Sequence, residues 1–317
     1  MGKYPGVKIL ILVLSIALSA CSGNAGRSKG TVQKNSQTPQ LQPTGTPFPT
    51  AAFTPAPTLT PTPTPIVILD PKPIEVRFSA DDGTELLGYY YPGSENPSPV
   101  IVLVHWAEGD LTDWEQIATW LQNRGQLDRL PDYNHTWKSS DWFPENGRAE
   151  PLAVFIFTLR NCEGGCRAYQ PAEWLLDIEA AMLQATRLQG IDTDKIMTGG
   201  ASIGADGALY GCTWLNQTGT GSCIGSFSLS PSSSLTLPYD ELANDLIGSD
   251  PPLPVYCLHG LRDDASVETC SGFPGLVSVD YGYIENHGME LIQSGQDPDP
   301  LILFMDFVEA ALAAGGE

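Results

Sequence analysis

The chain has 317 residues, of which 42% are hydrophobic, enough for a sizeable core, and a formal net charge of −21. All 37 carboxylates lie at or beyond Asp70, whereas five of the 16 bases (Lys3, Lys8, Arg27, Lys29 and Lys34) precede it, so a weakly basic head is joined to a strongly acidic body. A body of that charge repels phosphate backbones and anionic headgroups, which argues against nucleic acid as a partner and against peripheral adhesion to a charged membrane.

In the head, Lys3 and Lys8 lead into the apolar run Ile9 to Leu18, followed by Ser19-Ala20-Cys21. A run of about ten residues is too short to cross a bilayer core of roughly 30 Å as a helix, but it fits the apolar region of a signal peptide. Leu18-Ser19-Ala20-Cys21 resembles a bacterial lipobox. The resemblance implies cleavage before Cys21, diacylglyceryl on its sulfur, acylation of the new amino terminus, and an extracytoplasmic protein attached to the cell membrane by lipid alone. The alternative is an ordinary secretory signal with an incidental cysteine. From Thr38 to Pro65 there are nine Pro and nine Thr in 28 residues and no charge. Proline at that density favours an extended polyproline II stalk and cannot build a core. The expected organisation is a signal peptide over 1–20, a disordered Pro/Thr-rich linker over 21–66 and one folded body over 67–317.

Removing Cys21 from the count of seven leaves six cysteines, which in an oxidising compartment pair by default. They fall in three close pairs, so the expected bridges are Cys162 to Cys166, Cys212 to Cys223 and Cys257 to Cys270. No histidine pair has ligand spacing, and no metal is expected.

The body alternates between two periods. Ile74–Ser79 and Glu85–Tyr91 read as strands joined through the turn signal Asp81-Asp82-Gly83, an antiparallel hairpin. Val100–His105 is a β-branched run of the kind buried on both faces, and Leu111–Asn123 has helical period. Gln126–Pro151 has no period but holds Tyr133, Trp137, Trp142 and Phe143, and reads as a cap or one wall of a cleft. Beyond it come a strand over Leu152–Leu159, a helix over Ala172–Leu188, a short strand over Lys195–Thr198 and a helix over Ile203–Trp214. Strands over Ile224–Leu229, Pro254–His259 and Leu276–Tyr281 precede a closing helix over Leu301–Ala314. Alternation of this kind predicts an α/β fold with a mostly parallel sheet, helices on both faces and the hairpin at one edge.

Gly200-Ala201-Ser202-Ile203-Gly204 lies between a short strand and a helix, the setting of a nucleophile elbow, where flanking side chains would collide with the neighbouring strand or helix. The strand Pro254–His259 runs into Gly260-Leu261-Arg262-Asp263, and after one more strand comes His287. Of the four histidines only His287 follows that acid, since His105, His135 and His259 all precede it. With Ser, acid and His in this order, the body resembles an α/β-hydrolase and is similar to the dienelactone-hydrolase and small-esterase branches. The resemblance implies acyl transfer to water with Ser202 as nucleophile, His287 as base and Asp263 as the acid, chosen over Asp264 by the family's H-G-x-x-D spacing. Asp264 would instead cap the turn that follows.

By the same resemblance the oxyanion hole takes one N–H from Ile203 and one from the stretch after the strand ending at His105, where either Trp106 or Ala107 supplies it. Trp106 stands where many relatives carry glycine, which implies a bulky wall near the nucleophile. Leu159 to Cys166 stands where relatives carry an Arg-Gly-x-Gly loop and reads as a stapled turn stiffening the sheet's edge. Asp177 reads as a solvated or helix-packing carboxylate. No cofactor is required, the expected partner is a small or polymer-linked ester substrate, and the expected oligomeric state is a monomer. Two further readings stay open: a binding module on the same fold that turns nothing over, and a peptidase or acyltransferase using the same residues.

Overall fold

The computed structural model describes residues 72–94, 96–123, 134–148, 151–235, 238–271 and 273–316. The signal segment, Cys21, the linker over 21–66 and Tyr133 lie outside the described residues. Strands β1 (Ile74–Ser79) and β2 (Glu85–Tyr91) form the expected antiparallel hairpin, and Asp82 accepts the Thr84 N–H at 3.0 Å to close its turn. β2 runs antiparallel to β4 (Ala153–Phe157), which is parallel to β3 (Ser98–Val104). β5 (Ile191–Ala201), β6 (Cys223–Leu229), β7 (Val255–His259) and β8 (Val277–Asp280) continue the parallel sheet, giving the order β1-β2-β4-β3-β5-β6-β7-β8.

Because successive strand residues face opposite ways, β3 feeds two cores. Val100, Val102 and Val104 pack with Trp174 and Ile178 of α2 (Pro171–Ala185), Leu209 of α3 (Ile203–Thr218) and Leu246 of α4 (Tyr239–Ile247). Ile101 and Leu103 pack on the other face with Ile117 of α1 (Glu115–Leu121) and with Phe304 and Phe307 of α6 (Pro300–Ala314). The three expected disulfides are present: Cys162–Cys166, Cys212–Cys223 and Cys257–Cys270. Among the described residues no helix is long and apolar enough to cross a membrane.

Several elements differ from expectation, each for a physical reason. β5 runs through Gly199 and Gly200, because pairing with Leu103 and Val104 on one side and with Phe227 and Ser228 on the other outweighs their weak strand preference. Leu111–Trp114 forms a tight three-residue-per-turn helix before α1, capped by Asp110, which accepts the Thr112 N–H at 2.9 Å. Helix α4 and the short α5 (Asp264–Cys270) have no counterpart in the sequence reading, being too short for a periodic signal. The stapled turn after β4 is not at an edge, since β4 lies between β2 and β3.

Candidate active site

The end of β5 turns into α3 through Ser202, whose φ of 53° and ψ of −122° lie where side chains are strained. Two glycines permit the turn. A Cβ on Gly200 would stand 2.0 Å from the Gly204 carbonyl oxygen, and one on Gly204 would stand 2.3 Å from that of Val104 and 2.4 Å from that of His105. The Ser202 N–H is tied to Leu229 O of β6 at 2.8 Å, so the strain is held from the sheet side. Ile203 is the first residue of α3, where backbone N–H groups have no intrahelical acceptor.

The loops after β7 and β8 bring two more side chains to this turn. Asp263 caps α5, accepting the Ser266 hydroxyl at 2.6 Å, and its Oδ2 lies 2.6 Å from His287 Nδ1. Burial alone would push its carboxyl up, yet the hydrogen bonds from His287 and Ser266 outweigh it and hold Asp263 below the usual carboxylate range. An ionised Asp263 accepts from His287 Nδ1–H, which leaves Nε2 as the acceptor for the Ser202 hydroxyl at 2.7 Å. Ser202, His287 and Asp263 thus stand in one hydrogen-bonded line. Asp264 is exposed in the first turn of α5, and it is Asp263, not its neighbour, that caps the helix. Glu290 steadies the histidine from behind, its Oε2 accepting the His287 N–H at 3.2 Å.

A serine on a strained strand-to-helix turn above a mostly parallel sheet, followed in the chain by an acid and then a histidine, decides the architecture. The fold is that of the α/β-hydrolases. No family model and no curated protein matches the sequence. Solved structures with a similar α/β-hydrolase fold include a dienelactone hydrolase from Anabaena variabilis, 14% identical over 77% of this chain and 98% of that one, with a TM-score of 0.47. A bacterial heroin esterase is 14% identical over 77% of this chain and 84% of its own, with a TM-score of 0.49. An esterase from Pyrococcus furiosus is 13% identical over 76% and 91%, with a TM-score of 0.46. Identities this low say nothing of substrate or reaction.

The loop after β3 forms the opposite wall of this site. His105 is fully buried, which lowers its pKa and keeps the ring neutral. Its Nε2 accepts the Leu159 N–H at 3.0 Å, so Nδ1 carries the proton and donates to Trp106 O at 2.7 Å. In a trans peptide the C=O and N–H point to opposite sides, so fixing the Trp106 carbonyl turns the Ala107 N–H away from His105. That N–H has no acceptor among the described residues. The Trp106 ring stands close to Ser202: a Cβ on Gly288 would lie 3.0 Å from Trp106 Cε3 and 3.6 Å from Ser202 Cβ.

Asp113, absent from the sequence reading, organises this wall. Buried to 2% exposure, its carboxylate accepts Trp106 Nε1–H at 2.9 Å and Trp137 Nε1–H at 3.0 Å, and pairs with Lys138 Nζ at 2.7 Å. It therefore ties the aperiodic excursion to the loop after β3, and the two indoles meet edge to face at 5.5 Å. Beside them opens a cavity of about 260 Å³ whose walls include Glu108, Asp110 and Glu290.

Asp177 is neither solvated nor simply packed. It is fully buried and accepts Arg160 Nε at 2.9 Å and the Arg160 backbone N–H at 2.8 Å, while Arg160 also pairs with Asp82, which stitches α2 to the loop after β4 and the hairpin turn. Asp206, one helical turn beyond Ser202, accepts the backbone N–H groups of Ser232 and Ser233 at 3.1 Å each and that of Ser234. Burial pushes its carboxyl up to about 6, against those three donors. An unfolded Asp titrates near about 3.9, so between these values the folded chain binds the extra proton, and stability falls as pH rises from about 4 to about 6 and is level above. This fall, on the order of 3 kcal/mol, should vanish in Asp206→Asn when urea unfolding is compared across that range. An unchanged slope in the variant removes Asp206 as its source.

Proposed function

We propose that the protein is a serine hydrolase acting on carboxylic esters, with Ser202 as nucleophile, His287 as general base and Asp263 as the acid that holds the imidazole. The observation that carries this reading is the hydrogen-bonded line from Ser202 Oγ through His287 to Asp263, at 2.7 and 2.6 Å. His287 Nε2 takes the hydroxyl proton as Ser202 attacks the ester carbonyl, and Asp263 stabilises the imidazolium that results. The backbone N–H groups of Ile203 and Ala107 receive the developing oxyanion, each worth about 2.7 to 4 kcal/mol. Returning the proton to the leaving alcohol yields an acyl-Ser202, and water, activated by the same histidine, releases the acid. The carboxylates around the neighbouring cavity disfavour an anionic group there, so a neutral or cationic ester, small or polymer-linked, is the proposed substrate class.

We place the enzyme outside the cytoplasm, held through lipid on Cys21, with the residues over 21–66 as tether. Its three disulfides support an oxidising compartment.

A fluorophosphonate probe, which reacts with activated serines, tests the reading. Labelling is expected at Ser202, located by peptide mass, together with turnover of short p-nitrophenyl esters. A folded protein that takes no label and hydrolyses no ester would instead be a binding module. Labelling with cleavage of peptides but not esters would make it a peptidase.

A further inference from the structure

The loop after β3 is gripped from its outer side by a small covalent ring. Cys162 and Cys166 close it, and Gly164 and Gly165 turn it with φ of 68° and 111°, conformations that favour glycine. The ring meets the loop at three successive places. The Cys166 N–H donates to Ala107 O at 2.7 Å. Gly165 lies so close to Glu108 that a Cβ on it would stand 3.2 Å from the Glu108 carbonyl oxygen. The Gly164 N–H donates to Asp110 Oδ2 at 2.8 Å.

The peptide groups on both sides of the Ala107 Cα are therefore pinned through their carbonyls. His105 holds that of Trp106 at 2.7 Å, and the ring holds that of Ala107, also at 2.7 Å. With both planes fixed, the two soft torsions of Ala107 have no freedom left, and its N–H keeps one direction.

We propose that the Cys162–Cys166 ring is a positioning element that preorganises the Ala107 N–H for the oxyanion, so that opening this disulfide slows the chemical step and leaves substrate binding in place. The inference rests on the serine-hydrolase reading of Ser202. A donor aimed at developing charge acts only in the transition state, so its loosening lowers kcat and not KM.

The ring is also the bridge open to attack. Among the six bonded cysteines Cys166 alone is partly exposed, whereas Cys162, Cys212, Cys223, Cys257 and Cys270 are buried at 0 to 1% exposure. Thiol–disulfide exchange requires access to a sulfur. Dithiothreitol would supply two electrons and two protons, the bond between Cys162 and Cys166 would break to two thiols, and the reductant would close into its own cyclic disulfide.

The test titrates the intact protein with dithiothreitol, identifies the thiols released by alkylation and mass, and follows ester hydrolysis with circular dichroism as the check on folding. As Cys162 and Cys166 open, kcat should fall about ten-fold or more, within the 10²–10³ that such a donor can supply, with KM changed less than two-fold and activity returning on reoxidation. Cys162→Ser/Cys166→Ser should reproduce the fall and bind a boronic acid, which mimics the tetrahedral anion, more weakly by the same factor. Cys212→Ser/Cys223→Ser should keep the parent kcat below its melting temperature. An opened ring with unchanged kcat, or a fall in kcat that only tracks loss of the circular dichroism signal, overturns the proposal while the hydrolase reading stands. Absence of both ester hydrolysis and Ser202 labelling in the untreated protein overturns both.

Discussion

Asn in place of Asp263 should lower kcat for ester hydrolysis by about 10⁴-fold, whereas Asn in place of Asp264 should leave it within two-fold. The two residues are adjacent, and what separates them is geometry. Asp263 Oδ2 lies 2.6 Å from His287 Nδ1, while Asp264 is exposed in the first turn of α5. An amide at position 263 can present N–H to the ring, which favours the tautomer with its proton on Nε2, the atom that must be free to accept from Ser202. The substitution removes no packing volume and leaves Oδ1 to accept the Ser266 N–H that caps α5, so circular dichroism should be unchanged. Equal losses in the two variants would show that the acid is not chosen by this contact.

Gly204→Ala should destabilise the fold by more than about 3 kcal/mol, at the upper end of overpacking costs, and lower the soluble yield. One methyl group produces so large an effect because what it meets is backbone: Val104 O at 2.3 Å, at the end of β3, and His105 O at 2.4 Å, just beyond it. A flexible side chain could swing aside, but these carbonyls cannot without moving β3. Urea unfolding of the variant gives the measure. A loss under about 1 kcal/mol would mean that α3 can retreat from β3, and that the strained turn at Ser202 is softer than its contacts suggest.

The central strands, the hairpin, most of the helices and the meeting of Ser202, Asp263 and His287 were legible in the sequence because each leaves a local mark. A β-branched run marks β3, a turn triplet marks the hairpin, and glycines two positions from a serine mark the elbow. The cysteine pairs were legible because close spacing coincided with spatial neighbourhood. Asp113 left no such mark, since a carboxylate that gathers two indole N–H groups and an ammonium acquires that role only when residues 113, 137 and 138 meet. Asp177 was misread for the same reason, its partner Arg160 lying on a different element. The end of β5 was misplaced because glycine preference is local while strand pairing is not. His105, read only as the end of a strand, acts through both ring nitrogens on residues near and far in the chain.

The strand order divides the molecule at β5 in a way that bears on how such a protein can change. Each side chain proposed to move a proton or form a bond enters the site at or after the end of β5, from the loops that follow β5, β7 and β8. Everything before it, from the hairpin to residue 190, offers that site only walls and a main-chain donor. Substitutions among the aromatic residues around Asp113 can therefore reshape this wall without touching the side chains proposed to react. Most of the wall and all of the side chains proposed to react thus come from separate stretches of one chain, so a change in one stretch need not disturb the other.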